Sequence, residues 1–465
     1  MPDRPHTGPS PRAGGSRLGS RRGAARTLLL TAVLALSVGA PAVGVPASAA
    51  KRSVHVDNPY AGARGYVDPQ WQARAAAEPG GEQVADQPTA VWLDSVGAVH
   101  GTDDRMGLRA HLDAALAQGA GYIQFVLYNL PGRDCWRLVS DGELAADDLD
   151  AYRTGYLDPI AATFADPRYA ELRIVTLVEV RALPSLITRT APRATATPAC
   201  NQMRANGNYV LGVRHALNRL QAIPNVYTYL DVANHAWTGP DDSFGPIAQL
   251  VADTVRGTTR GLAGLDGFIT NTADYAALSE PYLNADEQAR LSRWAAGNPY
   301  HDELTFAVAF RRKLVELGFP ASIGALIDTS RNGWGGPDRP TAASVDPDLD
   351  ARVDASRVDR RASKENWCNQ VGAGLGERPR AYPARGIDAY VWATAPGVSD
   401  GSPTPESIRG FNPMCDPTYL GNLANGYRPS GARPGGLERG QWFAAHFREL
   451  LANAYPPVDA GSPSP

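Results

Sequence analysis

The chain has 465 residues, with 45 lysines and arginines against 48 aspartates and glutamates, so its formal net charge of −3 is close to neutral. This balance gives no indication of a nucleic-acid partner or of an anionic membrane surface as a partner. The length exceeds that of a typical single domain but suits a barrel enzyme with long loops.

Residues 1–50 follow the order of regions found in an export signal. Basic residues such as Arg21 and Arg22 precede the apolar run TLLLTAVLALSVGAPAVGV, and Ala47-Ser48-Ala49 provides a small-residue cleavage site. Glycines and prolines interrupt the apolar run, which disfavours a permanent membrane helix. We predict a secreted, extracellular protein that begins near Ala50 and has no membrane segment after cleavage. The stretch SRRGAA leaves both the general and the twin-arginine export routes open.

The exported part contains four cysteines. An even number in an oxidising compartment favours two disulfides, with buried free thiols as the alternative. No CxxC or histidine-rich spacing indicates a zinc site, so we expect no metal ion and no cofactor. The four residues are Cys135, Cys200, Cys368 and Cys415.

Seven short β-rich apolar runs alternate with segments of helical periodicity through the exported chain. The runs are TAVWLDSV (89–96), YIQFVLY (122–128), LRIVTLVEV (172–180), VYTYLDVA (226–233), LDGFITN (265–271), SIGALID (322–328) and AYVWAT (389–394). Most are continuously hydrophobic, which is typical of parallel strands buried on both faces. LRAHLDAAL, NYVLGVRHALNRL and ELTFAVAFRRKLVELGF have the spacing of amphipathic helices.

Seven β/α repeats without a linker predict a single α/β domain built as a closed or nearly closed barrel. An open doubly wound sheet is the alternative, but no GxGxxG turn follows the first strand. Residues 331–385 are polar and rich in glycine and proline, so we expect a functional loop region there. Residues 456–465 are predicted to form a disordered tail.

Polar side chains occur where the predicted strands end, which is where barrel enzymes place their chemistry. Carboxylates dominate this set, and no serine lies in a GxSxG turn, so Ser-His hydrolase chemistry is not indicated. The set is Asp94, Tyr128, Arg133, Asp134, Glu179, Arg181, Asp231, Asn271, Asp328 and Asp400. Tryptophans near the same ends favour stacking on sugar rings. These are Trp92, Trp237, Trp334, Trp367 and Trp392.

Several long motifs, in order along the chain, resemble those of glycoside hydrolase family 6, and most of all its bacterial exo-acting cellobiohydrolases. They include YNLPGRDC (128–135), IPNVYTYLDVANHAW (223–237), LIDTSRNGWGGPDRP (326–340), NWCNQVGAGLGERP (366–379) and PGVSDG (396–401). The resemblance implies a distorted, TIM-like, seven-stranded parallel β/α barrel over residues 51–455, with long loops over the active site. It also implies inverting cleavage of β-1,4-glucosidic bonds in cellulose, and the disulfides Cys135–Cys200 and Cys368–Cys415.

The resemblance also assigns roles to individual residues. Asp134 corresponds to the aspartate that supports the proton donor, and Asp400 to the proposed catalytic base. Arg133 holds nearby charges in place, and Tyr128 lies beside the sugar whose ring is distorted. Sugar-binding positions of the family are matched by Trp92, Trp237, Asn271 and Trp367.

The chain departs from the family at the proton donor. The family's acid strand ends in a glutamate, an apolar residue and the donor aspartate, whereas this chain has Glu179, Val180 and Arg181. Arginine stays protonated, so Arg181 cannot act as a general acid. Other family residues around the site are replaced as well, by Asn129, Asn234, Pro240, Thr394 and Val398. We also expect Asp94, Asn234, Thr394 and Val398 to contact the bound sugar.

Two residues apart on a strand, Glu179 and Arg181 are expected to point together into the barrel. We hypothesise a salt-bridged cluster of the two, with Asp134 as a candidate third member; the alternative is an Arg181 that swings out to solvent. Glu179 and Asp134 are the candidate substitute donors. Two interpretations stay open: a monomeric glucanase acting on β-1,4-glucan or a related polysaccharide with low or altered activity, and a non-catalytic glycan-binding protein of the same family.

Overall fold

The computed structural model describes residues 55–407 and 409–458. The export signal predicted for residues 1–50 and residues 459–465 of the predicted tail lie outside the described residues. Arg378 donates hydrogen bonds to the carbonyls of Pro456 and Pro457, at 2.7 and 3.0 Å, so the first residues of that tail are held by the fold. Within the described ranges, no helix combines the length and hydropathy needed to cross a membrane.

A single sheet organises the molecule. Its strands are β1 Val91–Leu93, β2 Tyr122–Leu127, β3 Arg173–Val178, β4 Val226–Asp231, β5 Gly267–Thr270, β6 Gly324–Asp328, β7 Arg380–Ala384 and β8 Ile387–Val391. They lie in the order β1-β2-β3-β4-β5-β6-β8-β7. The first seven strands in this order, which end with β8, pair in parallel with their neighbours. This confirms the seven predicted parallel strands. The sheet curls until one parallel bridge, between Thr89 and Trp392, joins its β1 and β8 sides, so the barrel is incompletely closed.

The predicted count of seven strands is corrected to eight by β7, which pairs antiparallel with β8. The connecting turn contains Gly386 at φ +82°, a conformation that glycine adopts without steric cost. Pro383 lies within β7 and cannot donate to a ladder, which restricts such a strand to a sheet edge. Because β7 is partly exposed and lies in the region rich in glycine and proline, the apolar pattern did not reveal it.

Helices surround the sheet. They are α1 Pro69–Ala76, α2 Val96–His100, α3 Leu108–Ala117, α4 Asp158–Phe164, α5 Ala182–Thr188, α6 Pro198–Asn206, α7 Asn208–Leu220, α8 His235–Thr238, α9 Asp241–Arg256, α10 Pro281–Asn284, α11 Glu303–Glu316, α12 Leu349–Ser356 and α13 Ala444–Ala452. Helices α3, α7, α9 and α11 are among those that pack on its outer face. The three amphipathic segments predicted to be helical form α3, α7 and α11. A π-helical stretch, Ala151–Leu157, leads into α4.

Alternate residues of the same strands belong to two separate hydrophobic clusters. Phe125 and Ile174 pack with the helices, whereas Val126, Val175 and Leu177 belong to a smaller cluster on the inner face. This is the two-residue alternation of a strand buried on both sides. The disulfides implied by the resemblance are both present, Cys135 with Cys200 and Cys368 with Cys415. They tie the loops after β2 and before β7 to the rest of the fold.

Candidate active site

A cleft with a volume of about 760 Å³ lies where the parallel strands end. Eight of the residues singled out in the sequence line it, because they follow β1, β2, β3 and β8 or lie in the long loops. They are Trp92, Asp94, Tyr128, Arg181, Trp367, Thr394, Val398 and Asp400. Three others, Arg133, Asp134 and Glu179, line a smaller pocket of about 10 Å³ that shares Tyr128, Val180 and Arg181 with the cleft.

Arg181 is buried in an ion pair. Its Nη2 donates to Oδ2 of Asp274 at 2.6 Å, and its backbone N–H donates to Oδ1 of Asp231 at 2.8 Å. The side chain is 6% exposed, so the alternative in which Arg181 swings out to solvent is wrong. Its guanidinium also lies 5.3 Å from the ring centroid of Trp136. The residue that the sequence analysis matched to the family's proton donor is therefore a buried cation paired with a carboxylate.

The expected pairing of Glu179 with Arg181 is wrong, because both residues lie beyond the end of β3. Each has a positive φ, +53° and +57°, so the alternation of a strand does not apply to them. The Glu179 carboxylate instead accepts hydrogen bonds from the Tyr152 hydroxyl at 2.8 Å and from the backbone N–H groups of Asn129 and Leu130 at 3.2 Å. The acidic partner of Arg181 is Asp274, which the sequence had not indicated.

Asp274 is shared between two arginines. Arg361 donates to its Oδ1 at 2.7 Å while Arg181 donates to its Oδ2, and the Asp274 side chain is 4% exposed. Burial alone would raise the pKa of Asp274, but the guanidinium groups of Arg181 and Arg361 lower it. Asp274 is therefore a partner of both buried cations, and Arg361 has a second buried carboxylate partner, Asp359, at 2.6 Å.

Replacing Asp274 with asparagine is expected to lower the free energy of unfolding by about 3 kcal/mol, because Arg181 then has a buried charge without its partner. Urea unfolding of the variant and the parent measures this change. The matched control is Asp242→Asn, since Asp242 also pairs with an arginine but is 68% exposed and should change stability by less than about 0.5 kcal/mol. A loss in Asp274→Asn no larger than the control's would show that the pair contributes little.

The two candidate substitute donors are both separated from the cleft. Burial raises the pKa of Glu179 from 4.5 to about 7, although the hydrogen bonds from Tyr152 and two backbone N–H groups oppose the shift. Glu179 can thus hold a proton near neutral pH, but it faces the small pocket. Burial also acts to raise the pKa of Asp134, yet Arg137 and Arg133 outweigh it and the pKa is lowered. Asp134 does not line the cleft, and it accepts a hydrogen bond from the hydroxyl of Tyr128, which does.

Asp400 is a cleft carboxylate held by three donors. Arg331 Nη1, the Tyr275 hydroxyl and the backbone N–H of Asn369 each lie 2.8 Å from one of its oxygens. Arg331 is fully buried and stacks over the Tyr275 ring at 4.3 Å. These contacts fix the direction in which the carboxylate faces the cleft.

Asp94 lies near the other end of the cleft among several arginines. Arg105 and Arg409 donate to its two oxygens at 3.1 and 2.8 Å, and Arg439 lies 3.5 Å away. Burial would raise the pKa of Asp94, but these guanidinium groups lower it well below its usual range. Trp92 lies beside it, edge-on to the Tyr128 ring at 5.4 Å. Asp94 is therefore a fixed anion.

A model of the family described as "Glycosyl hydrolases family 6" matches residues 49–454. The chain belongs to this family. Exoglucanase A of Cellulomonas fimi is 42% identical over 96% of the chain and 54% of its own length, so the chain spans about half of that relative. The catalytic domain of Cellulomonas fimi Cel6B superposes with a TM-score of 0.83 at 43% identity, over 88% of this chain and 98% of that one. The CcCel6A catalytic domain complexed with p-nitrophenyl β-D-cellotrioside superposes with a TM-score of 0.68 at 27% identity, over 87% of this chain and 99% of that one.

In this family 6 protein, three predicted sugar-binding residues do not line the cleft. Asn234 accepts from the backbone N–H of Trp237 at 3.1 Å and donates to Asp274 at 2.6 Å. Trp237 donates to Glu365 at 2.9 Å, and Asn271 donates to the Asp328 carbonyl at 2.8 Å. All three are buried and support the loops around the site, so their contact with sugar stays a prediction.

Sequence reasoning also missed most of the cleft arginines of this family 6 protein. Arg105, Arg409 and Arg439 come from loops without a recognised motif, whereas Arg137 follows the RDC motif by two residues and could have been noticed. Across residues 55–407 and 409–458, no group of three or more His, Cys, Asp or Glu side chains is arranged to hold a metal ion.

Proposed function

We propose that this glucanase binds β-1,4-glucan in its cleft and cleaves unactivated chains slowly, because no side chain replaces the missing proton donor. The observation that carries the proposal is the ion pair of Arg181 with Asp274 at the end of β3. A guanidinium there stays charged and cannot protonate a departing oxygen. With the signal predicted in residues 1–50, the protein would act outside the cell, as a monomer.

The positions of the other acids support the proposal. Near the carboxyl ends of the strands, the pKa is raised towards neutrality for Glu179, to about 7, and for Asp231 and Asp328, each to about 6. None of these three lines the cleft, whereas the cleft residue Asp94 has a lowered pKa. An inverting glycosidase needs an acid and a base on opposite sides of the scissile bond, and here Asp400 supplies the base alone.

Glucan is the ligand favoured by the cleft and by the relatives. Trp92, Tyr128 and Trp367 present aromatic surface among polar groups, as sugar sites do. One related structure holds a cellotrioside, and the relatives are named as exoglucanases. A second candidate function is glycan binding without any hydrolysis. The same ion pair favours it, because the arginine held there cannot donate a proton at all.

Calorimetric titration with cellotetraose, followed by product analysis after long incubation, tests the proposal. We expect saturable binding and slow release of shorter sugars, which Asp400→Asn should abolish; this control excludes a contaminating cellulase. Binding without any product would favour the second candidate. Turnover as fast as that of a family member with an intact donor, or no binding at all, would contradict the proposal.

A further inference from the structure

Arg137 is a cleft cation with hydrogen-bond donors that the protein leaves unused. It follows Trp136 in the loop after β2, and its guanidinium lies 4.1 Å over the Trp367 ring. Its side-chain ion contact, with Asp134, is 3.4 Å long, which exceeds the length of a charge-assisted hydrogen bond. The side chain is 10% exposed, and its buried Nε has no hydrogen-bond partner among the described residues.

Arg181 brings a second cation to the same place. The guanidinium carbons of Arg137 and Arg181 lie 5.2 and 5.3 Å from one ring centroid, that of Trp136, and both residues line the cleft. The carboxylates that pair with these two arginines have other partners as well. Asp274 also accepts a hydrogen bond from Arg361, and Asp134 also accepts one from the Tyr128 hydroxyl. Neither carboxylate lines the cleft, and the cleft carboxylate whose charge acts on Arg137 is Asp400.

The cleft as a whole also has more cations than carboxylates. Five aspartates and glutamates line it, together with six arginines. The arginines are Arg74, Arg105, Arg137, Arg181, Arg409 and Arg439, of which Arg105, Arg409 and Arg439 already pair with Asp94. A neutral glucan offers only hydroxyl groups to these side chains. A carboxylate would satisfy two parallel N–H donors of a guanidinium at once, and a guanidinium stacked on an indole keeps its edge free for this contact.

We propose that the β-1,4-glucan bound here carries a carboxylate, as a uronic acid unit or an oxidised chain end, and that Arg137 and Arg181 hold it. The inference rests on the proposed glucan binding and names its substrate class. A neutral chain still binds through the aromatic surface but leaves these donors to water. Arg137 is thus a specificity residue, and its effect should appear in the ratio of affinities for charged and neutral ligands.

The test is calorimetric titration of the whole protein with three tetrasaccharides: cellotetraose, its reducing-end aldonate, and a form with one internal glucuronate. At low salt we expect at least one charged ligand to bind about tenfold more tightly than cellotetraose, and the better of the two identifies the source of the carboxylate. The preference should shrink between about 0.01 M and about 1 M salt, where the Debye length falls from about 30 Å to about 3 Å.

Variants separate this effect from a general loss of binding. Arg137→Gln should bring the ratio of charged to neutral affinity close to one. The matched control, Arg219→Gln, should keep the parent's ratio, because Arg219 is an exposed arginine on α7 paired with Asp158. Should Arg137→Gln fail to fold, the salt dependence of the parent protein tests the inference: a preference for charged ligands that does not shrink at high salt would contradict it. Equal affinity for all three ligands overturns this inference and leaves glucan binding intact, whereas no binding of any ligand overturns both proposals.

Discussion

Replacing Arg181 with aspartate is expected to raise the rate of cellotetraose hydrolysis by about 10²–10⁴-fold, the usual contribution of a general acid. The new carboxyl group would stand at the end of β3, at the family's donor position. Asp274 and Asp231 already contact Arg181 there, so their charges would raise the pKa of the new group, as a general acid requires. The measurement is kcat/KM for cellotetraose from the release of shorter sugars.

The matched control is Arg181→Asn, which removes the same cation. The asparagine side chain is nearly the same size as that of aspartate but cannot act as a general acid. In either variant Asp274 keeps its bond with Arg361 at 2.7 Å, so both should fold. The double change Arg181→Asp with Asp274→Asn should keep a gain while relieving the repulsion between neighbouring carboxylates. Equal rates for the aspartate and asparagine variants would mean that more than the donor is missing, with Asn129, Thr394 and Val398 as the next positions to restore.

Parts of the fold that depend on local patterns could be predicted from the sequence. Continuous apolar runs identified the seven parallel strands, since each is buried on both faces, and long motifs identified the family over the predicted residues 51–455, close to the 49–454 of the family model. The edge strand β7 was missed because Pro383 and exposed side chains do not produce that pattern.

The arrangement at the site depended on features that no local pattern encodes. The positive φ values of Glu179 and Arg181 turn the two side chains to different environments, whereas a regular strand would have aligned them. The acidic partner of Arg181 is 93 residues away in the chain, in the loop after β5, and spacing cannot reveal such a contact. The sequence shows Arg181 where the resemblance places the proton donor, and the pairing of this arginine with Asp274 required the structure.

The protein is also expected to depend unusually strongly on the leaving group of its substrate. A dinitrophenyl glycoside departs without protonation, so a missing general acid should slow its cleavage least, whereas the sugar alcohol released from a glucan needs a proton. Asp400 and the aromatic surface serve both substrates equally. The loss of rate caused by the missing general acid should therefore fall mainly on the unactivated glucan bond.

The ratio of kcat/KM for a dinitrophenyl cellotrioside to kcat/KM for cellotetraose, measured for the parent protein and for Arg181→Asp, tests the missing donor most directly. The parent's ratio should exceed that of Arg181→Asp by about 10²-fold or more. Equal ratios in the two proteins would contradict the account, because they would show that Arg181 does not limit proton donation to the leaving group.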